Sequence, residues 1–143
     1  MAFAQQNGAG EKDSIIIHDA ARPNISPMMI SQCLSGLRDA DGVMPVLPVK
    51  DTMYLSADGQ HITSLLNRDQ LFAGQAPESF CFGKYMAIHD GLTEEQLAQV
   101  RGSSELAYQH GMTIQLISGD EHNYKITTKA DLEKFRKEMG EDA

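Results

Sequence analysis

Ser14–Pro23 reads S-I-I-I-H-D-A-A-R-P, and the fold turns on this stretch. Three consecutive isoleucines are the pattern of a short buried strand. The polar residues after them fall where such a strand leaves its sheet, the place where open α/β sheets bind ligands. Asp19 is therefore a candidate metal or phosphate-side carboxylate, and Arg22 brings a planar cationic fork suited to an anion. Pro23 keeps the segment from returning to helix or interior strand. A purely structural strand exit in any α/β protein has the same pattern.

The chain has 143 residues, enough for one domain with a sizeable core. Hydrophobic residues make up 41% and charged residues 22%, as in ordinary globular proteins. The formal charge of -8 argues against coating nucleic acid or a membrane surface, though not against a small anionic ligand held by local cations. No apolar run approaches a membrane span, and Met1–Gly10 lacks the basic start and apolar core of a secretion signal. Cys33 and Cys81 have neither disulfide density nor metal-ligand spacing, so both read as small core hydrophobes and the protein as cytoplasmic.

Residues 1–13 read as a flexible lead-in or a remnant linker, because Gly8 and Gly10 follow no strand and form no phosphate-binding fingerprint. Ser26-Pro27 marks a helix start, with Ile30, Cys33, Leu34 and Leu37 as its inward stripe. Val43 to Val49 is an apolar segment broken by Pro45 and Pro48, which predicts a short or edge strand. Asp58-Gly59 between Tyr54-Leu55 and His61-Ile62 predicts an exposed hairpin, marginal unless it packs on something else. A helix is expected over 84–90, with Phe82, Tyr85, Met86 and His89 tending to one face. Thr93 with Gln96 predicts a capping box, and Ser103–His110 a helix stopped by Gly111. Met112–Ile117 and Tyr124–Ile126 read as strands, and Thr128 with Asp131 opens a last helix bearing Leu132, Phe135 and Met139. Asp120 to Asn123 is a weak metal motif, since consecutive side chains do not converge on one ion. Lys125, beside the last helix start, is either a phosphate-side cation or a solvated lysine. The predicted core comprises Ile15, Ile16, Ile17, Ile30, Leu34, Leu37, Val43, Val46, Ile114, Leu116, Leu132 and Phe135.

Taken in order and spacing, this opening stretch, P-V-K-D-T at 48–52, N-R-D-Q-L at 67–71, Q-A-P-E-S-F at 75–80 and N-Y-K-I-T-T at 123–128 resemble a known family. They are similar to the second half of the 2-C-methyl-D-erythritol 4-phosphate cytidylyltransferases, with ribitol-5-phosphate cytidylyltransferases as close relatives. The resemblance covers roughly Ile15 to Phe135. It implies an α/β, Rossmann-like nucleotidyltransferase domain, truncated, with a mostly parallel sheet and a projecting β-arm. The domain would span 14–139, with the arm at 51–67 and a tail at 140–143.

The resemblance further implies a transferase that joins CTP to 2-C-methyl-D-erythritol 4-phosphate with release of pyrophosphate, a step of isoprenoid precursor synthesis, assisted by Mg2+. Asp19 would help hold Mg2+, Arg22 would support the site, and Lys125 would supply positive charge. Thr52 and Arg68 would hold the acceptor phosphate across the interface of a homodimer built through the arm. The H-D-A-A-R-P string looks more like the methylerythritol branch than the ribitol branch. Two departures stand out: Ala76-Pro77-Glu78 replaces the family's Thr-Pro-Gln, and Arg101-Gly102 replaces a Thr-Asp pair. The family also begins with a strand and a Gly-rich, basic triphosphate loop that this sequence does not contain. The rival expectation is an incomplete, noncatalytic domain that binds a phosphorylated ligand or assembles with another chain.

Overall fold

The computed structural model describes residues 2–140, with side chains from Ala4 onward; apart from Gly140, the expected tail lies outside the described residues. A helical turn, α1 (Ala2–Gln6), precedes β1 (Ser14–Ile17). Backbone bonds from Phe82 N to Asp13 O and Gly83 N to Glu11 O tie the approach to β1 onto the rest of the fold. Ser26 caps α2 (Pro27–Gly36) by accepting from Met29 N, and Pro27 fills the first turn where no amide bond is lost. Then come β2 (Gly42–Pro48), the arm strands β3 (Tyr54–Leu55) and β4 (Ser64–Leu65), a 3-10 turn at Arg68–Gln70, β5 (Phe72–Gly74) and β6 (Glu78–Cys81). Helices α3 (Phe82–Asp90), α4 (Glu94–Gln99) and α5 (Ser103–Gln109) lead to β7 (Ile114–Ser118), and α6 (Lys129–Glu138) closes the described chain.

The main sheet runs β1-β6-β2-β5, with β7 on the other edge of β2. Only the β2·β7 pairing is parallel; β1·β6, β6·β2 and β2·β5 are antiparallel, which corrects the expected mostly parallel ladder. β1, β2 and β7 do share one direction, but β6 inserts between the first two. The strand expected to be peripheral, β2, is the hub. Pro48 is its last residue, and Pro45 is accommodated by a register break opposite it. Val46 faces Gly74 while Val43 faces Ser79, so two extra residues bulge out between β5 and β6 at Gln75–Pro77, which includes a cis Ala76-Pro77 peptide. The Pro45 carbonyl accepts from Gln75 N on that side. The amide that proline lacks therefore faces the bulge and not an intact ladder.

Phe80, fully buried, stacks on Tyr85 at 4.5 Å and packs with Leu106, Ala107 and Met112 between the sheet and α3 and α5. Ile15, Ile17 and Ile114 close this cluster from the strands. Complete burial of a ring such as Phe80 contributes roughly 2–3 kcal/mol. Met29 and Cys33 supply the buried stripe of α2, and burial pushes the Cys33 thiol up to about 11. Val43 and Val46 are buried as expected, whereas Leu34 (41% exposed), Leu116 (47%) and Leu132 (38%) are not. β7 pairs only with β2, so Leu116 lacks neighbours on one side. Leu132 sits on α6, which is pinned by Tyr124: its hydroxyl donates to Glu138 Oε2 at 2.8 Å, and Lys134 Nζ stands 3.9 Å over its ring.

The arm is a hairpin with a longer loop than the sequence implied. β3 pairs with Ser64–Leu65 and not with His61-Ile62. Asp58 organises the loop by accepting from Gln60 N, His61 N and Ser56 Oγ, and Gly59 takes φ +71. Tyr54, Leu55, Ile62 and Leu65 are all more than half exposed.

Candidate active site

Asp19 and Arg22 lie in the turn that follows β1, and Lys125 comes from the segment after β7, 106 residues later than Asp19. The fold brings the three together. Asp19 Oδ2 receives Arg22 Nε at 3.3 Å and Lys125 Nζ at 3.2 Å. Partial burial works to raise the Asp19 carboxyl, but Lys125 first and Arg22 second outweigh it and hold it below the usual carboxylate value. The two cations differ in freedom. Arg22, 13% exposed, also donates from Nη1 to the Asn123 carbonyl at 2.7 Å. Lys125 is 47% exposed and can swing toward a ligand.

The two loops are stitched edge to edge. Ile126 N donates to Ala21 O at 2.8 Å and Asn24 Nδ2 to His122 O at 3.2 Å, while within the first loop His18 Nε2 sits 3.0 Å from Arg22 O. Tyr124–Ile126, expected as a strand, has no regular structure; the backbone bond from Ile126 ties it to the first loop. The start of α6 is capped from within the chain, with Asp131 N donating to Thr128 Oγ1. Thr127 N and Thr128 N donate to Asp131 Oδ2, which draws the Asp131 carboxyl down to about 2.

Two residues that sequence reasoning did not single out complete the arrangement. Asn123 is fully buried; its Nδ2 donates to Ala76 O at 2.7 Å, and its Oδ1 has no partner. Gln75, buried in the bulge, donates to Asp120 O at 2.9 Å and to Asn123 O at 3.2 Å, and accepts from Asp120 N at 3.0 Å. Polar amides beside a Gly-Pro-rich break in an apolar run were the available signal.

Glu78 lies opposite Ile17 in the ladder, at the end of β1 from which Asp19 emerges. Its carboxylate accepts from Ser104 N at 3.0 Å, so the acid at the start of α5 is supplied by β6. Burial raises the Glu78 carboxyl, the bonds from α5 only partly offset this, and the charge of Asp19 adds to the rise.

Thr52 and Arg68 belong to a second place. They line a cleft of about 470 Å3 at the root of the arm with Leu65, Leu66, Asn67 and Asp69. Arg68 Nη1 donates to Lys50 O at 3.1 Å, and the Lys50 ammonium pairs with Glu121. Within one chain no contact joins Thr52 or Arg68 to the Asp19 cluster among the described residues.

The model of the family described as IspD: 2-C-methyl-D-erythritol 4-phosphate cytidylyltransferase matches residues 4–139. The chain belongs to that family. Among curated cytidylyltransferase relatives, the bifunctional enzyme IspD/IspF of Allorhizobium ampelinum is 35% identical over 122 residues, covering 85% of this chain and 30% of that protein. The 2-C-methyl-D-erythritol 4-phosphate cytidylyltransferase of Geobacter metallireducens is 33% identical over 138 residues, covering 94% of this chain and 59% of that one. A crystal structure of 4-diphosphocytidyl-2C-methyl-D-erythritol synthase superposes with TM-score 0.79 at 26% identity, over 96% of this chain and 62% of that one. The synthase from Anaerococcus prevotii, at 22% identity and TM-score 0.80, supports the fold alone. The chain thus spans less than two thirds of the length of these relatives. No helix among the described residues is long and apolar enough to cross a membrane.

Proposed function

We propose that this chain serves the cytoplasmic transfer of a cytidylyl group from CTP to 2-C-methyl-D-erythritol 4-phosphate. An oxygen of the acceptor phosphate forms a bond to the α-phosphorus of CTP. The bond from that phosphorus to the bridging oxygen breaks, and pyrophosphate leaves with the electron pair. The attacking oxygen is already anionic, so no general base and no protein nucleophile are needed. The residues' work is alignment and neutralisation of charge.

The observation that carries this reading is the Asp19–Arg22–Lys125 cluster in a chain of this family. Arg22, held from two sides, fixes Asp19 and has little freedom to grip a ligand. Lys125 is the mobile cation and would move its ammonium from Asp19 onto phosphate. Asp19 is a single carboxylate, and among the described residues no group of three or more His, Cys, Asp or Glu could hold an ion. Such a donor set fits Mg2+ delivered on a nucleotide's own phosphates better than a dedicated cage. When bound, the metal would supply neutralisation of phosphate charge.

Thr52 and Arg68 would hold the acceptor phosphate. Their separation from the Asp19 cluster within one chain fits a site completed by a second copy docked through the apolar arm. The test is pyrophosphate release by the purified chain with CTP, Mg2+ and either 2-C-methyl-D-erythritol 4-phosphate or ribitol 5-phosphate. Release dependent on the methylerythritol acceptor is expected. No release with either acceptor from verified folded protein would overturn autonomous turnover and favour the noncatalytic reading. Release with ribitol phosphate alone would overturn the substrate assignment.

A further inference from the structure

We propose that Gln75 is a positioning residue for the charged cluster, acting through the Asn123 carbonyl on Arg22; this rests on reading that cluster as the phosphate-handling site. Gln75 is fastened at both ends. Its backbone amide is bonded to Pro45 O at 2.8 Å on the central strand, and its side-chain amide grips Asp120 and Asn123. The Asn123 carbonyl receives two donors, Gln75 Nε2 at 3.2 Å and Arg22 Nη1 at 2.7 Å. Arg22 in turn holds Asp19 Oδ2, which also takes Lys125. The position of Asp19 is thereby referred, through four polar contacts, to the hub of the sheet.

The chemistry selects an amide. Three backbone groups face the end of this side chain: the Asp120 carbonyl, which also accepts from Asn123 N at 3.0 Å, the Asn123 carbonyl, which also accepts from Arg22, and the Asp120 N–H, whose acceptor is Gln75 Oε1. Only a primary amide offers two N–H groups and an oxygen on one planar end. A carboxylate has no donor for the two carbonyls, and an apolar chain of the same length leaves the Asp120 N–H without an acceptor and each carbonyl with one donor in place of two. Asn123 answers in the opposite direction by bonding Ala76 O, so the bulge and the loop hold each other. Volume alone would ask for a hydrophobic residue at this buried position.

The test is NMR on the full chain, following hydrogen-exchange protection of the Arg22 Nε–H in wild type, Gln75→Met and Gln75→Asn. Ser79→Ala serves as control; it removes another buried bond, from Ser79 Oγ on β6 to Cys33 O at 3.1 Å, away from the charged loop. Loss of two or three bonds predicts a fall in protection of at least about tenfold in both Gln75 variants and none in Ser79→Ala. Unchanged protection in either folded Gln75 variant would overturn the proposal, and so would an equal loss in Ser79→Ala. Failure of both Gln75 variants to fold would also overturn it, since the residue would then be a determinant of the fold as a whole. The readout needs no nucleotide, so absence of CTP turnover would count against the proposed function and leave this inference standing.

Discussion

Gly119→Ala is the smallest change that should disturb the site without touching a charged group. Gly119 N donates to Val46 O at 2.8 Å as the chain leaves β7. An added Cβ would lie 2.4 Å from Gln75 Oε1, 3.0 Å from Val46 O and 3.1 Å from the Val46 carbonyl carbon. Two of these atoms are backbone of the central strand and cannot step aside, so Gln75 or the loop must move. Displacing Gln75 breaks the bond from Asp120 N and strains those to Asp120 O and Asn123 O. At about 1 kcal/mol for each bond lost, plus about 1–3 kcal/mol for overpacking, the substitution should cost roughly 2–4 kcal/mol. In a chain of this size that is a melting-temperature drop of roughly 6–12 °C. Urea unfolding followed by circular dichroism measures it, with Gly91→Ala as control. There the new methyl meets only Ala87 O at 3.4 Å and Ile88 O at 3.5 Å. The control should fall within about 0.5 kcal/mol of wild type. A Gly119→Ala protein equally close to wild type would refute the close-packed account of the loop.

Glu78→Gln keeps an acceptor for Ser104 N and removes a charge that burial disfavours. The folded carboxyl sits above its ordinary value of 4.5, so its stabilising contribution is complete below that value and is lost as pH rises through the folded value. The variant should therefore be the more stable protein at pH 7 and converge with wild type near pH 4; urea midpoints showing a constant gap, or a weaker variant at pH 7, would contradict this. Leu65→Asp places a charge on the exposed apolar arm and should shift sedimentation from dimer toward monomer while leaving the fold unchanged; a wild-type chain that sediments as a monomer would remove the basis for the two-chain site. Lys125→Met should lower acceptor-dependent pyrophosphate release by roughly 10²-fold or more with the melting temperature nearly unchanged, because its ion pair is half exposed; activity within about twofold of wild type would exclude Lys125 from the chemistry.

What the sequence made legible was chiefly local. Ser26-Pro27, Thr93 with Gln96, and Thr128 with Asp131 each announce a helix start because the capping partners lie within three residues. Asp58-Gly59 announces the hairpin for the same reason. The role of β2 was not legible, since what rescues Pro45 is a bulge some thirty residues away. Nor was the exposure of Leu34 and Leu116, which follows the right period but depends on what covers each face. Asp19, Arg22 and Lys125 could be nominated from motifs. That Arg22 spends its fork inside the protein, on Asp19 and Asn123, could be seen only once the two loops were side by side.

Those loops show how an irregular segment can be as fixed as a strand. Carbonyls and amides in 119–126 find specific partners where a ladder would use repetition: the Val46 and Ala21 carbonyls, the side-chain amide of Gln75 and the Arg22 guanidinium. A ladder tolerates many side chains because backbone bonds backbone. This arrangement tolerates fewer, because its bonds to Gln75 and Arg22 each depend on one side-chain end at one position, and a buried group left unsatisfied costs about 1–3 kcal/mol. The unpartnered Asn123 Oδ1 is the exception already present. Substitutions in this loop should therefore register at Asp19 and Lys125 more strongly than equally destabilising changes in the Phe80–Tyr85 cluster, which sits between the sheet and α3 and α5.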